Sequence, residues 1–171
     1  MINNNFKKIL KCLFLYTSED INNLKLIGLD GSIIKEQATG YSFDFVPFLN
    51  KSLNTVINSA GINSNVKGGV CMGFGAGSKQ VSLEDYKLET IIDYLSYLSS
   101  SVVTTEEGYI VTTSVKNNTS RDIIVSEVGL FGRGTDNNRA GQTFMLTRNV
   151  LETPITIKPN ETKTFTITIN F

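Results

Sequence analysis

The 171-residue sequence contains no histidine and no tryptophan. Without histidine there is no His-dependent triad and no imidazole general base working near neutral pH. Nearly all zinc catalysis is excluded for the same reason. Cysteine is limited to Cys12 and Cys71, which form no CxxC pair and no metal-binding cluster. They make either one disulfide or two buried free thiols, and the thiols are the favoured reading. Charge of either sign is also missing in excess. Sixteen Lys and Arg balance sixteen Asp and Glu, and charged residues make up only 19% of the chain. A neutral chain has no surplus of cations to neutralise phosphates, so no nucleic acid partner is expected. No stretch approaches the ~18 consecutive apolar residues that a membrane span needs, and no membrane partner is expected. Lys11 interrupts the apolar run near the start, and Thr17-Ser18-Glu19-Asp20 follows it, so a signal peptide is not expected.

What fills the space left by charge is uncharged polarity. Asn, Thr and Ser account for 50 of the 171 residues. Such a chain stays soluble through amides and hydroxyls. Its length allows one domain with a sizeable core, with or without an arm.

The arm is the first periodic element. Phe6, Ile9, Leu10, Leu13 and Phe14 recur at i, i+3, i+4, i+7 and i+8, one face of an amphipathic helix of about three turns. Lys7, Lys8 and Lys11 fall on the other side. The apolar face either packs on its own domain or docks on a neighbouring subunit. These five residues are the candidate interaction residues. Residues 1–20 are therefore read as a helical arm and 21–171 as a single domain.

Period 2 then takes over. Asp30-Gly31 between two apolar runs predicts a hairpin with a type I′ turn. Tyr41, Phe43, Phe45 and Phe48 form an aromatic cluster, and the Asn- and Ser-rich residues 50–67 read as a loop or short helix. Ser82 with Glu84 and Asp85 reads as an N-cap opening one short helical turn, and residues 91–98 are ambiguous. Strands are expected over 101–105, 109–116, 121–131, 142–151 and 164–171. The strand at 121–131 is apolar on both sides, as a central strand is. Turns fall at 106–108, 117–120 and 159–160, with a flexible loop over 132–141. This spacing predicts a mainly β fold, an antiparallel β-sandwich of about seven strands with an N-terminal amphipathic helix; the strand signal is strongest over 101–171.

Five features bear on chemistry or binding. The glycine run Gly68-Gly-Val-Cys-Met-Gly-Phe-Gly-Ala-Gly-Ser78 lacks the Gly-Lys pair of a P-loop and the GxGxxG spacing of a dinucleotide site. It reads as a strand entering a tight loop where backbone passes close to another segment. Glu127 stands in an apolar strand, where a carboxylate needs a partner. Arg148 is the expected partner, and the pair is read as structural, fixing strand register. Asp85 and Glu89 have the spacing of a solvated acidic pair more than of an acid–base couple. Tyr94, Tyr97 and Tyr109 are either half-buried strand positions, the favoured reading, or the aromatic platform of a carbohydrate- or receptor-binding module. The last strand reaches the chain terminus uncapped. It lies either inside its own sheet or in the sheet of a neighbour. No catalytic residue, cofactor or metal site is expected.

Five segments, in order, resemble bacteriophage and prophage virion structural proteins of the tail-, neck- or capsid-associated β-sandwich type. They are Gly69-Val-Cys-Met-Gly-Phe-Gly75, Asp85-Tyr-Lys-Leu-Glu89, Ser126-Glu-Val-Gly-Leu-Phe131, Phe144-Met-Leu-Thr-Arg-Asn-Val150, and Pro154 through Ile169. The Glu-Val-Gly-Leu-Phe segment also resembles tail-fibre and collar-type β domains. The likeness covers residues 68–171, about 60% of the chain. It departs at Ala76-Gly-Ser-Lys79, where such proteins often continue with Thr and Pro. The resemblance implies a non-enzymatic virion protein, assembled in the host bacterial cytoplasm and partnered by copies of itself and other virion proteins. It would be an assembly subunit of the tail, neck or baseplate, or alternatively a capsid decoration protein, or further a receptor- or carbohydrate-binding module.

Overall fold

A computed structural model describes residues 2–7, 26–34, 69–135 and 141–170. The fold is mainly β, with two antiparallel three-stranded sheets stacked in a sandwich-like arrangement. Eight strands are described: β1 (Leu26–Ile27), β2 (Ile33–Ile34), β3 (Gly69–Gly75), β4 (Leu95–Thr105), β5 (Gly108–Asn117), β6 (Ile123–Thr135), β7 (Gly141–Ile157) and β8 (Thr162–Asn170). β1 and β2 form a separate hairpin; the large sheets have the orders β3-β6-β7 and β4-β5-β8.

Alternation explains the second sheet. On β5, Tyr109, Val111, Thr113 and Val115 point inward, and their β8 partners Ile169, Ile167, Phe165 and Lys163 share that face. Val111 and Ile167 meet Met72, Phe74, Val128 and Leu130 of the first sheet in one hydrophobic core. Phe74 packs on Phe165 with ring centroids 4.7 Å apart and tilted by 55°. Such offset aromatic pairs add to what burial alone contributes. β6 is the middle strand of its sheet and is covered on both faces from Ser126 to Gly132.

Asn117 ties the end of this sandwich. Its Nδ2 donates to Ile157 O at 2.8 Å and to Arg121 O at 2.7 Å, while its Oδ1 accepts from Thr119 N at 2.8 Å. Asn117→Ala strands these groups in a buried site. The expected loss is about 1–3 kcal/mol, the cost of an unsatisfied buried polar group, read as a lower urea midpoint with an unchanged slope.

Several expectations change. The Asp30-Gly31 hairpin exists, with Ile27 paired to Ile33, but its turn is not type I′. Gly31 has φ 82° while Asp30 does not have positive φ, and Gly31 N donates to Gly28 O at 3.0 Å. A turn followed by one left-handed glycine gives a bulged hairpin, a geometry set by loop length. Residues 83–84 form a turn rather than a helix: Ser82 N donates to Asp85 Oδ2 at 2.8 Å, and Glu84 N to Ser82 Oγ at 3.2 Å. β4 begins at Leu95, resolving the ambiguous 91–98 segment as strand from that point. β6 extends to Thr135, into the expected loop.

The N-terminal helix is described over residues 4–7 only. Asn3 caps it by accepting from Phe6 N at 3.1 Å. Asn3 N also donates to Leu146 O at 3.0 Å, so the turn is laid against β7. Phe6 is 2% exposed and belongs to the chain's own core, which removes it from a surface offered to a neighbour. Asn5 extends the attachment, bonding both ways to the backbone of Ile27. Ile9, Leu10, Leu13 and Phe14 lie outside the described residues, as do Cys12, the 41–49 aromatic cluster and residues 50–67. Among the described residues, no helix is long and apolar enough to cross a membrane.

Candidate functional site: a buried charge cluster

Glu127 and Arg148 come from adjacent strands. Arg148 sits opposite Gly129 and Glu127 opposite Val150, so the two side chains are diagonal neighbours on one face of the sheet. The register is unbroken from Glu127–Val150 to Leu130–Thr147, so ordinary alternation puts Arg148 on that face, and an irregularity follows. Thr147 pairs with Leu130 and Met145 with Phe131, leaving Leu146 as an extra residue in β7. This bulge reverses the alternation, so Met145 and Arg148 lie on the same side.

The cluster is closed by hydrogen bonds. Arg148 Nε donates to Glu127 Oε2 at 2.7 Å, and Nη1 donates to Asp85 Oδ2 at 2.9 Å. Nη2 lies 3.7 Å from Glu89 Oε2. Arg148 is 1% exposed and Glu127 is fully buried. The other Glu127 oxygen, Oε1, accepts from Gly77 N at 3.1 Å and Thr90 N at 3.0 Å. Both carboxylate oxygens are therefore engaged, as a buried charge requires.

The segment between β3 and β4 supplies the rest. Glu89 accepts from Ser78 N and Lys79 N, each at 2.8 Å. The Lys79 hydrogen bond, with that from Ser78 and the Arg148 charge, holds its carboxyl below the usual glutamate range against a desolvation cost. Burial of the Arg148 guanidinium opposes its charge, but the Glu127 and Asp85 hydrogen bonds outweigh it and raise its pKa further. Leu88 from the same segment packs on Phe131 and Met145 beside the cluster.

The glycine run takes its meaning here. Gly75 faces Glu127 across the β3–β6 ladder. A Cβ on Gly75 would fall 2.6 Å from Thr90 O, and one on Gly77 would fall 2.5 Å from Glu127 Oε1. The two glycines leave the space that the carboxylate and the returning backbone occupy.

Asp85 and Glu89 share Arg148 as a partner. The three tyrosines do not gather: Tyr109 is buried in the core, Tyr97 is half-buried against Phe74, and Tyr94 is 55% exposed. Among the described residues, no group of three or more His, Cys, Asp or Glu is placed to hold a metal ion. Asp85 and Glu89 as anchors of Arg148 were not foreseen from the sequence. Their one signal was acidity at a spacing of four just after the glycine run.

No protein-family model, no curated protein and no solved structure matches the chain.

Proposed function

We propose that this chain is a non-enzymatic structural subunit of a bacteriophage virion, built into the tail, neck or baseplate. One observation carries the reading: four of the five segments that resemble virion proteins converge on a single buried clamp. Gly75 ends the first segment, Asp85 and Glu89 bound the second, Glu127 belongs to the third and Arg148 to the fourth. Their polar groups are spent on one another and on backbone amides. A motif set used in this way maintains a shape. A neutral, hydroxyl- and amide-rich subunit of fixed shape suits repeated packing against copies of itself, where symmetry multiplies moderate contacts.

In this reading the subunit is an antiparallel sandwich of about seven strands with an amphipathic helical arm. Phe6 is spent on the chain's own core, so Ile9, Leu10, Leu13 and Phe14 are the arm residues proposed to contact neighbours.

Mass spectrometry with copy counting on purified particles tests the assignment. The expected result is fewer than about 30 copies per particle, as ring symmetry gives. Hundreds of copies would place the chain on the capsid lattice as a decoration protein. Its absence from particles overturns the virion reading.

A further inference from the structure

Two three-stranded sheets have four edges, and three of them are visibly obstructed. β7 is bridged by Ile2 opposite Thr147, and residues 151–154, including Pro154, bulge out of its ladder. β3 is closed at its end, where Ile92 N donates to Phe74 O at 2.8 Å and Ala76 N to Thr90 O at 2.8 Å. β4 shifts register between Tyr97 and Ser99. Bulges, prolines and covering segments are the means by which sheets keep edges from pairing. Among the described residues β8 carries none of these. Its register with β5 is unbroken from Thr162 to Asn170, and among the described strands β5 is its one neighbour. It has no proline and a single charge, Lys163, which is paired with Glu161 at 2.8 Å.

Parity fixes where the free peptide groups point. Asn117 N donates to Glu161 O at 3.0 Å, so this pair, one step beyond Lys116 and Thr162, is hydrogen-bonded. Alternation then turns the peptide groups of Phe165, Ile167 and Ile169 toward β5. Those of Thr164, Thr166 and Thr168 face the open side. The hydroxyl contacts agree: Ser114 Oγ lies 2.7 Å from Thr164 Oγ1, and Thr112 Oγ1 lies 3.3 Å from Thr166 Oγ1. Side chains approach most closely in non-hydrogen-bonded pairs.

We propose that a second copy of this chain pairs here, β8 against β8, antiparallel about a two-fold axis at Thr166. A strand that meets itself across a dyad must tolerate its own side chains. In this register Thr166 meets Thr166, Thr164 meets Thr168 and Phe165 meets Ile167. Lys163 falls opposite Ile169, so no like charges face each other. All nine residues of β8 find a partner. The open groups of Thr164, Thr166 and Thr168 become ladder bonds, and two sheets join into one of six strands. The zero net charge of the chain adds no long-range repulsion between copies. The inference rests on the assembly reading only for choosing a second copy over a foreign strand.

Light scattering after size exclusion, on the full chain at micromolar concentration, tests the contact. The expected mass is twice the 18.8 kDa of one chain. Thr166→Pro removes an N–H that faces the open side and no backbone bond to β5, only the exposed hydroxyl contact to Thr112, so it should run as a folded monomer. Thr166→Val keeps the N–H and should remain a dimer. Thr166→Lys and Thr166→Glu should each run as monomers and regain the dimer mass when mixed, which tests the dyad even if the proline variant does not fold. A monomeric parent chain overturns the proposal. So does an oligomer of three or more chains, or a mass that the Thr166 variants leave unchanged. The particle copy count does not enter this test, so a dimer from a chain absent from virions would sink the virion reading alone.

Discussion

Glu127→Ala is expected to destabilise the fold by about 3–5 kcal/mol, the range for removing one partner of a buried ion pair. For a chain of this size, each kcal/mol lowers the melting temperature by about 2–4 °C. The loss has two sources. Arg148 Nε loses its 2.7 Å acceptor while remaining 1% exposed. The amides of Gly77 and Thr90 lose their shared acceptor, Glu127 Oε1. Asp85 still faces Nη1 at 2.9 Å, so Arg148 retains a counter-charge and the loss stays within that range. Glu127→Gln separates the two sources. The amide oxygen can still accept from Gly77 and Thr90, while the amide nitrogen opposes a donor at Arg148. Its cost should fall below that of Ala. The double variant Glu127→Leu/Arg148→Met should be more stable than either single variant, because it removes both charges together. A Glu127→Ala melting shift under about 2 °C would show that the pair carries little of the stability.

The sequence shows some of these elements and hides others for identifiable reasons. β5 and β8 were legible because one face of each is buried and the other is not, so Thr and Ser alternate with Val, Ile and Phe. Glu127 was legible because a carboxylate in an apolar strand must have a partner, and Arg148 stood on the next long apolar run. Asp85 and Glu89 were hidden because they sit on an irregular segment whose course no periodicity encodes. The glycine run signalled a close approach, but which group approached depends on the β3–β6 register. Amphipathic spacing marked Phe6 as apolar-facing. It could not tell the chain's own core from a neighbour's, because both bury the same stripe. Asp30-Gly31 gave the hairpin but not its turn, which follows from the residues between Ile27 and Ile33. The position of β8 at an edge is a matter of topology, which local pattern does not carry.

Gly75→Ala should cost about 3 kcal/mol, near the upper end of what overpacking a filled site costs. The demand is for space, since a new Cβ would overlap Glu127 Oε1 and lie 2.6 Å from Thr90 O and 2.7 Å from Glu127 Cγ. Neither neighbour is free to move. Thr90 O accepts from Ala76 N at 2.8 Å, and Glu127 is held at both oxygens. The added methyl must break the clamp or part β3 from β6. Because part of its overlap is with Glu127, the two sites are coupled. In a Gly75→Ala background, Glu127→Ala removes one clashing group as well as one partner, so it should cost less than in the parent chain. Residues in contact commonly show coupling of about 0.5–3 kcal/mol, while independent sites add within about 0.5 kcal/mol. Denaturant midpoints for the two single variants and the double variant measure that term. Additivity within error would mean that the methyl strains only the Thr90 backbone, and that the glycine is required by the returning chain rather than by the buried carboxylate.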